Sequence, residues 1–268
     1  MRKGIVLSGL ALIVSMNIGA GCATTQSLSK KVRESYAYCT DNRYDQDHRC
    51  LEDEIKRAFQ SVYTLKVDVA TMTNGEERVI TSGSGTGLLL KGGYVLTAYH
   101  VGHMEKLVKR KKPEVLFSRI YLQGPEGREY LLTEVAGDWG ADVLLAKAPA
   151  NMPRFPEYPY RIGNSDELRV GDMTYLIGNA EGAGINMREG IVSQLNVEHI
   201  MGKKGFGISN PGNSGDSGGP VLALRDGNIE LVGIMVGVLK DTDNLTYAVG
   251  INSAINNLRL KNSPLKEK

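Results

Sequence analysis

The stretch Gly212-Asn213-Ser214-Gly215-Asp216-Ser217-Gly218-Gly219-Pro220 is the most informative part of this chain. It places two serines among glycines, and a serine hydroxyl becomes a nucleophile when a nearby base removes its proton. Glycines adopt the positive φ angles that turn successive backbone N–H groups toward one point, where they can stabilise an oxyanion. The motif therefore predicts acyl-transfer chemistry, and it requires a histidine and a carboxylate elsewhere in the chain.

Four histidines are the candidates for the base. We favour His100, because it follows the apolar run that begins at Tyr94 and the end of a strand aims a side chain rigidly. His48 lies in a polar segment between two cysteines, and His199 lies in a predicted surface turn. His103 lies three residues after His100, so a His-x-x-His metal-binding pair is an alternative. No carboxylate at helical spacing completes a zinc site, however. A purely structural role for His100 is also open.

The orienting carboxylate is expected at the edge of an apolar strand. Asp142 directly precedes Val143-Leu144-Leu145-Ala146. Burial there would let it hold one imidazole tautomer and stabilise the imidazolium. Asp138 is the second candidate, and we interpret it as a turn residue. A capping or turn role for Asp142 is the alternative.

Most of the chain is predicted to be β-structure. The 268 residues are 41% hydrophobic, include 32 glycines and carry a net charge of +2, which indicates a globular protein with many turns and no nucleic-acid partner. Short β-forming runs separated by turns begin near Ser61, and Lys91-Gly92-Gly93 has the form of a hairpin turn. The predicted strands are Ser61–Thr71, Gly87–Leu90, Tyr94–Ala98, Leu116–Gln123, Tyr130–Val135, Val143–Lys147, Met173–Ile177, Gly190–Leu195, Val221–Ala223, Ile229–Val238 and Thr246–Ile251. This pattern favours an all-β fold of paired barrels closed by a helix at Ala254–Lys261.

The first 21 residues have the features of a targeting signal. Met1-Arg2-Lys3 is positive, residues 4–18 are mostly apolar, and Gly19-Ala20-Gly21-Cys22 places small residues before a cysteine. This resembles a bacterial lipoprotein signal, which implies cleavage before Cys22, a lipid on that cysteine and an extracytoplasmic place in the cell envelope. Gly19 departs from the aliphatic residue usual at its position. Ordinary secretion with cleavage nearby and an uncleaved anchor therefore stay open.

Two further cysteines, Cys39 and Cys50, follow the predicted signal. An even number of cysteines in an oxidising compartment predicts a disulfide between them. Two buried free thiols are the alternative, whereas a metal site with His48 lacks ligands. A helix is predicted at Leu51–Gln60. We expect the signal at residues 1–21, a tether that includes the cysteine loop at 22–60, the folded domain at 61–256 and a C-terminal tail at 257–268.

The order His100, Asp142, Ser217 resembles that of chymotrypsin-fold serine proteases, and the surrounding motifs resemble the HtrA/Deg branch. The similar segments are Gly83-Ser84-Gly85-Thr86-Gly87-Leu88, Gly93-Tyr94-Val95-Leu96-Thr97, Asp142-Val143-Leu144-Leu145, Gly163-Asn164-Ser165, Ile177-Gly178-Asn179, Gly190-Ile191-Val192-Ser193 and Asn210-Pro211-Gly212-Asn213-Ser214-Gly215. The resemblance extends over about 82–254. It implies two packed six-stranded antiparallel β-barrels with a short C-terminal helix.

Two features depart from the HtrA/Deg pattern. That family reads Asn-Pro-Gly-Asn-Ser-Gly-Gly-Pro, whereas here the trypsin form Gly-Asp-Ser-Gly-Gly-Pro follows three residues later. Ser217 carries the complete downstream Gly218-Gly219-Pro220, so we assign it the nucleophile role and keep Ser214 as the alternative. The sequence also ends soon after Ile255. We therefore expect none of the PDZ domains, and no regulation by them.

The resemblance implies peptide-bond hydrolysis through an acyl-enzyme. His100 would take the proton of Ser217 and return it to the leaving amine, while Asp142 fixes the imidazole. The N–H groups of Gly215 and Ser217 would form the oxyanion hole. No metal or organic cofactor is required. The expected partners are polypeptide substrates and, through the lipid, a membrane, whereas the oligomeric state is not predicted.

Specificity and activity are less evident from the residues. The primary pocket is expected at Gly207–Pro211 and Met235–Leu239, which lack a charged residue, so small or aliphatic substrate side chains are expected. The basic residues Lys106 and 109–112 are interpreted as a solvated loop, with contact to anionic headgroups as the alternative. A lipid-anchored scaffold that keeps the fold without activity is the competing function, because sequence cannot show that three side chains meet.

Overall fold

The computed structural model describes residues 55–108, 115–198, 204–225, 228–238 and 245–258. Residues 55–60 are helical. The strands that follow are β1 Val62–Thr73, β2 Glu76–Leu90, β3 Tyr94–Thr97, β4 Leu116–Gln123, β5 Glu129–Leu131, β6 Thr133–Asp138, β7 Val143–Lys147, β8 Met173–Gly178, β9 Asn186–Glu198, β10 Lys204–Ile208, β11 Pro220–Arg225, β12 Asn228–Val238 and β13 Thr246–Gly250. Helix α1 is Tyr99–Gly102 and helix α2 is Ile251–Leu258.

The first seven strands form one antiparallel sheet in the order β5-β4-β1-β2-β3-β7-β6. Its outer strands β5 and β6 are consecutive in the chain and are separated by Leu132 alone, so chain connectivity brings the two edges of the sheet together. Leucines from five of the strands are fully buried in its interior, namely Leu65, Leu88, Leu96, Leu122 and Leu145. Apolar burial of this kind is the main stabilising contribution to such a sheet.

The remaining six strands form a closed antiparallel barrel in the order β10-β13-β12-β11-β8-β9. Strand β11 is buried on both faces: Val221 and Ala223 belong to the core inside the barrel, whereas Leu222 belongs to a larger core shared with the first sheet. Successive side chains of a strand lie on opposite faces, so a strand covered on both sides is apolar throughout. The barrel wall therefore packs directly against the first half of the molecule.

Helix α2 closes the fold by contacting both halves. Its buried residues Ile251, Ala254 and Leu258 lie on one face at helical spacing. The helix packs against β6 and β7 of the first sheet and against β12 and β13 of the barrel. It begins three residues before the predicted start, because Ile251 follows β13 without a loop.

The predicted all-β fold with a closed six-stranded barrel is confirmed, but its first half differs in detail from a six-stranded barrel. It is a seven-stranded sheet, because the predicted strand Tyr130–Val135 is divided at Leu132 into β5 and β6. The hairpin turn at 91–93 is present, and Gly92 and Gly93 have φ values of 76° and 72°. Strand β10 and residues 76–86 of β2 were not predicted, because their glycines and polar residues weaken the strand pattern.

Candidate active site

His100 and Asp142 are brought together by the ends of adjacent strands. Strand β3 leads into α1, which carries His100, and Asp142 lies directly before β7, the hydrogen-bonded neighbour of β3. The Nδ1 atom of His100 is 2.7 Å from Oδ2 of Asp142. The backbone N–H of His100 donates to Oδ1 of Asp142 at 2.9 Å. One histidine thus contacts both oxygens of the carboxylate.

This contact selects one tautomer of the His100 ring. Asp142 is 4% exposed and has a φ of 52°, a left-handed conformation uncommon outside glycine. A carboxylate only accepts hydrogen bonds, so the tautomer that fits this contact carries its proton on Nδ1. In that tautomer Nε2 is unprotonated, which is the form that can accept a proton. The ring remains reachable, because the His100 side chain is 22% exposed.

The glycine loop, residues 211–219, lies beside the start of α1. The N–H of Thr86 donates to the carbonyl of Ser217 at 2.8 Å. Gly218 has a φ of 88°, and a Cβ there would collide with the two residues that precede α1. This close approach places Ser217 next to the segment that carries His100. The Ser217 hydroxyl makes no hydrogen bond to His100 or to any other residue that the structure describes.

The backbone around Gly215 presents two donors. The carbonyl of the exposed Ser214 accepts from the N–H of Glu181 at 2.7 Å, and Gly215 has a φ of 92°. In a planar trans peptide the N–H is opposite the C=O, so the N–H of Gly215 points away from Glu181. Within the described ranges, neither the N–H of Gly215 nor that of Ser217 has an acceptor. Both are therefore available to an oxyanion.

Asp216, between these two donors, is fully buried and is paired with Arg188 of β9. Nη1 of Arg188 donates to Oδ2 and Nη2 donates to Oδ1, both at 2.6 Å. Nη1 also donates to the carbonyl of Pro211 at 2.8 Å. The N–H of Asn213 donates to Oδ2 of Asp216 at 2.8 Å. The guanidinium therefore holds both ends of the loop segment 211–216.

Comparison with known proteins agrees with this arrangement. A sequence profile of the trypsin-like peptidase domain matches residues 85–234, which is more than half of the chain. The chain belongs to the trypsin-like peptidase family. The matched residues include His100, Asp142 and the whole glycine loop.

Several bacterial relatives of this chain are named as periplasmic proteases. It is 30% identical over 217 residues to a probable periplasmic serine protease of the do/HhoA type from Haemophilus influenzae, an alignment that covers 76% of this chain and 42% of that protein. It is 30% identical over 199 residues to the periplasmic serine endoprotease DegP of Salmonella typhimurium, covering 70% and 36%. It is 31% identical over 180 residues to the periplasmic pH-dependent serine endoprotease DegQ of Escherichia coli, covering 65% and 34%. The chain thus spans less than half the length of these relatives.

Solved structures show the same fold. The HtrA-type protease AlgW with a tripeptide superposes with a TM-score of 0.56 and 21% identity, covering 76% of this chain and 61% of that one. AlgW with a decapeptide gives a TM-score of 0.58 and 20% identity, covering 76% and 65%. The predicted resemblance to the HtrA branch of chymotrypsin-fold serine proteases is thereby confirmed.

The two segments predicted to line a primary pocket are paired to the two sides of β13. Ile208 of the first segment and Val238 of the second are both opposite Thr246 of β13. The hydroxyl of Thr246 donates to the carbonyl of Asn210 at 2.6 Å. A Cβ on the neighbouring Gly212 would lie 2.7 Å from Oγ1 of Thr246 and 2.9 Å from Cγ1 of Val238, so a side chain at position 212 would displace these residues. Leu239, also predicted to line the pocket, lies outside the described residues.

Both ring nitrogens of His103 contact glutamates. Its Nε2 atom is 2.9 Å from Oε2 of Glu134, and its Nδ1 atom is 3.2 Å from Oε1 of Glu105. Its ring stacks on Tyr99 with 4.0 Å between centroids. In the described ranges, no group of three or more His, Cys, Asp or Glu residues is placed to hold a metal ion.

Lys106 of the predicted basic loop packs against aromatic rings beside the site. Its Nζ donates to the hydroxyl of Tyr99 at 2.7 Å and lies 5.7 Å from the ring centroid of Trp139. The hydrogen bond to Tyr99 raises the pKa of Lys106 above its ordinary value. Lys106 is thus a partner of the aromatic residues around α1. The other basic residues, 109–112, lie outside the described ranges.

Thr86 and Arg188 hold the glycine loop directly and Asn179 holds the neighbouring segment 179–184, and none of the three was predicted to have a role. Thr86 and Asn179 lie inside motifs that resemble the family, but the Thr86 hydroxyl contacts Gly215 and the Asn179 side chain contacts Thr64, both more than 100 residues away in the chain. The role of Arg188 could have been predicted from the sequence. An aspartate within a buried glycine motif needs a counter-charge, and that requirement directs attention to nearby basic residues.

Several predictions concern residues that lie outside the described ranges. They are the signal and tether at 1–54, including Cys22, Cys39, Cys50 and His48, and the surface histidine His199. Among the residues that the structure does describe, no helix combines the length and apolarity needed to cross a membrane.

Proposed function

We propose that this peptidase-family chain is a serine endopeptidase with His100, Asp142 and Ser217 as its catalytic residues and residues 61–256 as its catalytic domain. The observation that carries the proposal is the 2.7 Å contact between His100 Nδ1 and Asp142, formed next to a loop with two N–H groups that have no acceptor among the described residues. A base with a defined tautomer and a preformed anion site are what acyl transfer to serine needs.

In the proposed reaction, Ser217 Oγ attacks the carbonyl carbon of a peptide bond while its proton moves to Nε2 of His100. The carbonyl oxygen becomes an oxyanion that accepts hydrogen bonds from the N–H groups of Gly215 and Ser217. Collapse of this intermediate breaks the C–N bond, and the imidazolium returns the proton to the departing amine. Water then repeats the sequence on the ester and releases the acid. Each oxyanion donor typically contributes about 3 kcal/mol.

Labelling with a fluorophosphonate probe tests the nucleophile, because the probe reacts with activated serines. We expect the wild-type protein and Ser214→Ala to be labelled and Ser217→Ala to remain unlabelled. Ser214→Ala is the matched control, since it removes a neighbouring hydroxyl from the same loop. Labelling of Ser217→Ala would refute the assignment. An unlabelled wild-type protein that also hydrolyses no peptide would support the inactive scaffold.

The substrates of the proposed enzyme are polypeptides, with small or aliphatic side chains at the primary site. The absence of charged residues from the predicted pocket segments, 207–211 and 235–239, supports this preference. Cleavage of a peptide library is expected to give product ends rich in such residues. Cleavage confined to Lys or Arg would contradict it.

The location that we propose is extracytoplasmic, with a lipid on Cys22 as membrane anchor and a disulfide between Cys39 and Cys50. The signal-like N-terminus and the periplasmic relatives support the compartment. Cys22→Ala is expected to move the protein from the membrane fraction to the soluble fraction. Alkylation before and after reduction should show two additional reactive thiols in reduced protein. Unchanged fractionation or unchanged alkylation would refute the respective assignment.

A further inference from the structure

Thr86 joins the two halves of the molecule at the glycine loop. It lies on β2 of the first sheet, is fully buried, and contacts segments on the barrel side. Its hydroxyl donates to the carbonyl of Gly215 at 2.7 Å and accepts from the N–H of Asn179 at 3.0 Å. Its N–H donates to the carbonyl of Ser217 at 2.8 Å. Its carbonyl accepts from the hydroxyl of Thr97 at 2.7 Å.

These bonds determine the orientation of the Gly215 backbone. The carbonyl before Gly215 is bonded to Glu181, and the carbonyl of Gly215 itself is bonded to the Thr86 hydroxyl. Because each peptide unit is planar, fixing both carbonyls leaves the glycine little freedom to rotate. Glycine is the residue most able to rotate, so these bonds oppose a flip that would turn its N–H out of the anion site.

The Thr86 hydroxyl also holds the segment that contains Glu181, whose N–H bonds to the carbonyl of Ser214. Asn179 precedes Glu181 by two residues and is 4% exposed. Its side chain donates to the hydroxyl of Thr64 at 2.9 Å and accepts from the N–H of Gly184 at 2.8 Å. The segment 179–184 is thus tied to the first sheet at two points, Thr64 and Thr86.

We propose that the Thr86 hydroxyl is a positioning group for the oxyanion hole. It bonds to the loop and not to the reacting atoms, so its effect on catalysis passes through the N–H of Gly215. The inference rests on the proposed peptidase function. A hydroxyl is needed because one side chain atom must donate to Gly215 and accept from Asn179 simultaneously.

The test compares Thr86→Val with Thr86→Ser. Valine keeps the shape and removes the hydroxyl, whereas serine keeps the hydroxyl and removes a methyl group. Ser61→Ala is the matched control, since Ser61 is fully buried and its hydroxyl donates to Ala58 away from the glycine loop. For each variant, kcat and KM are measured on a peptide substrate, and kcat is expressed per titrated active site. Inhibition by a peptide aldehyde is measured as well, because the adduct places its oxygen in the oxyanion hole.

We expect Thr86→Val to lower kcat by about 10- to 100-fold, because moving a catalytic group such as the Gly215 N–H by about 1 Å has an effect of that size. KM should change by less than about threefold. Affinity for the aldehyde should fall by a similar factor, and Thr86→Ser should restore both values to near wild type. Ser61→Ala should lower the unfolding midpoint without altering either value. A purely structural role would lower the midpoint of Thr86→Val as well but leave kcat per titrated site unchanged.

Wild-type kcat and aldehyde affinity in Thr86→Val would overturn the proposal, as would a Thr86→Ser variant as impaired as the valine variant. If the valine variant fails to fold, Thr86→Cys replaces it, because a thiol is a weak donor. The cysteine variant should lie between wild type and the expected valine value, and wild-type behaviour would overturn the proposal. A wild-type protein without hydrolysis or labelling refutes the proposed function itself, whereas an active wild type with an equally active valine variant refutes only the role of Thr86.

Discussion

Replacing Arg188 by methionine is expected to destabilise the protein by about 3–5 kcal/mol, because it leaves Asp216 as a buried charge without a counter-charge. Asp216 is 0% exposed and would lose two hydrogen bonds of 2.6 Å, keeping only the one from the N–H of Asn213. The backbone of Gly178 packs against Asp216 so closely that a Cβ at position 178 would lie 3.0 Å from the Asp216 Cα atom. That side of the carboxylate is therefore closed to water. Domains are stable by about 5–15 kcal/mol in total, so this loss would be large.

The assay is urea unfolding at pH 7 in a Ser217→Ala background, which removes the proposed nucleophile so that cleavage of unfolded chains does not disturb the measurement. The matched variant is Arg188→Met with Asp216→Asn, which removes both charges and keeps side chains of similar size. Replacing a whole buried ion pair is far less costly than breaking it, so the double variant should be more stable than Arg188→Met by about 2 kcal/mol or more. The dependence on urea should keep its slope, because the exposed surface is unchanged.

Two results would refute this reasoning about the ion pair. One is an Arg188→Met variant within about 1 kcal/mol of the parent, which would mean that Asp216 is solvated or neutral without Arg188. The other is a double variant that is no more stable than Arg188→Met, which would mean that the loss comes from packing rather than from the unpaired charge.

Three further predictions follow from individual contacts. Asp142→Asn should lower kcat by about 10³- to 10⁴-fold in a peptide-hydrolysis assay, because the amide no longer holds the His100 tautomer, and a kcat near wild type would contradict the proposed role. Gly215→Ala should abolish fluorophosphonate labelling, because its φ of 92° and its contact with a backbone carbonyl exclude a Cβ; labelling at the wild-type rate would refute it. The hydrogen bond from Arg119 lowers the pKa of Glu77, so this pair stabilises the fold above the ordinary carboxyl pKa and the effect is lost as the pH falls through the lowered value. Glu77→Gln should therefore flatten the acid side of a plot of melting temperature against pH, and an unchanged slope would contradict the pairing.

Local patterns predicted the bounds of two strands, β4 and β7. Val143–Lys147 has the predicted bounds because a continuous apolar run specifies a strand covered by a core. Leu116–Gln123 also has the predicted bounds, although most of its residues are only half-buried. Strand β10 and the first part of β2 were missed because their glycines have no side chain to give a pattern. The break at Leu132 was also missed, since the chain changes its partner strand there from β4 to β7, and local sequence does not encode which strand is the partner.

The candidate site was likewise predicted only in part from the sequence. The order of His100, Asp142 and the Gly215–Pro220 motif in the sequence sufficed to recognise the peptidase family, because glycine turns and strand ends are encoded locally. The roles of Thr86 and Arg188 arise only in the tertiary structure. Their partners are distant in the chain, and a buried hydroxyl or guanidinium acquires its effect from the particular carbonyl or carboxylate that folding places within hydrogen-bond distance. The sequence by itself thus determined the fold class and the candidate chemical groups, and the tertiary structure decided which residues hold the backbone of the anion site in place.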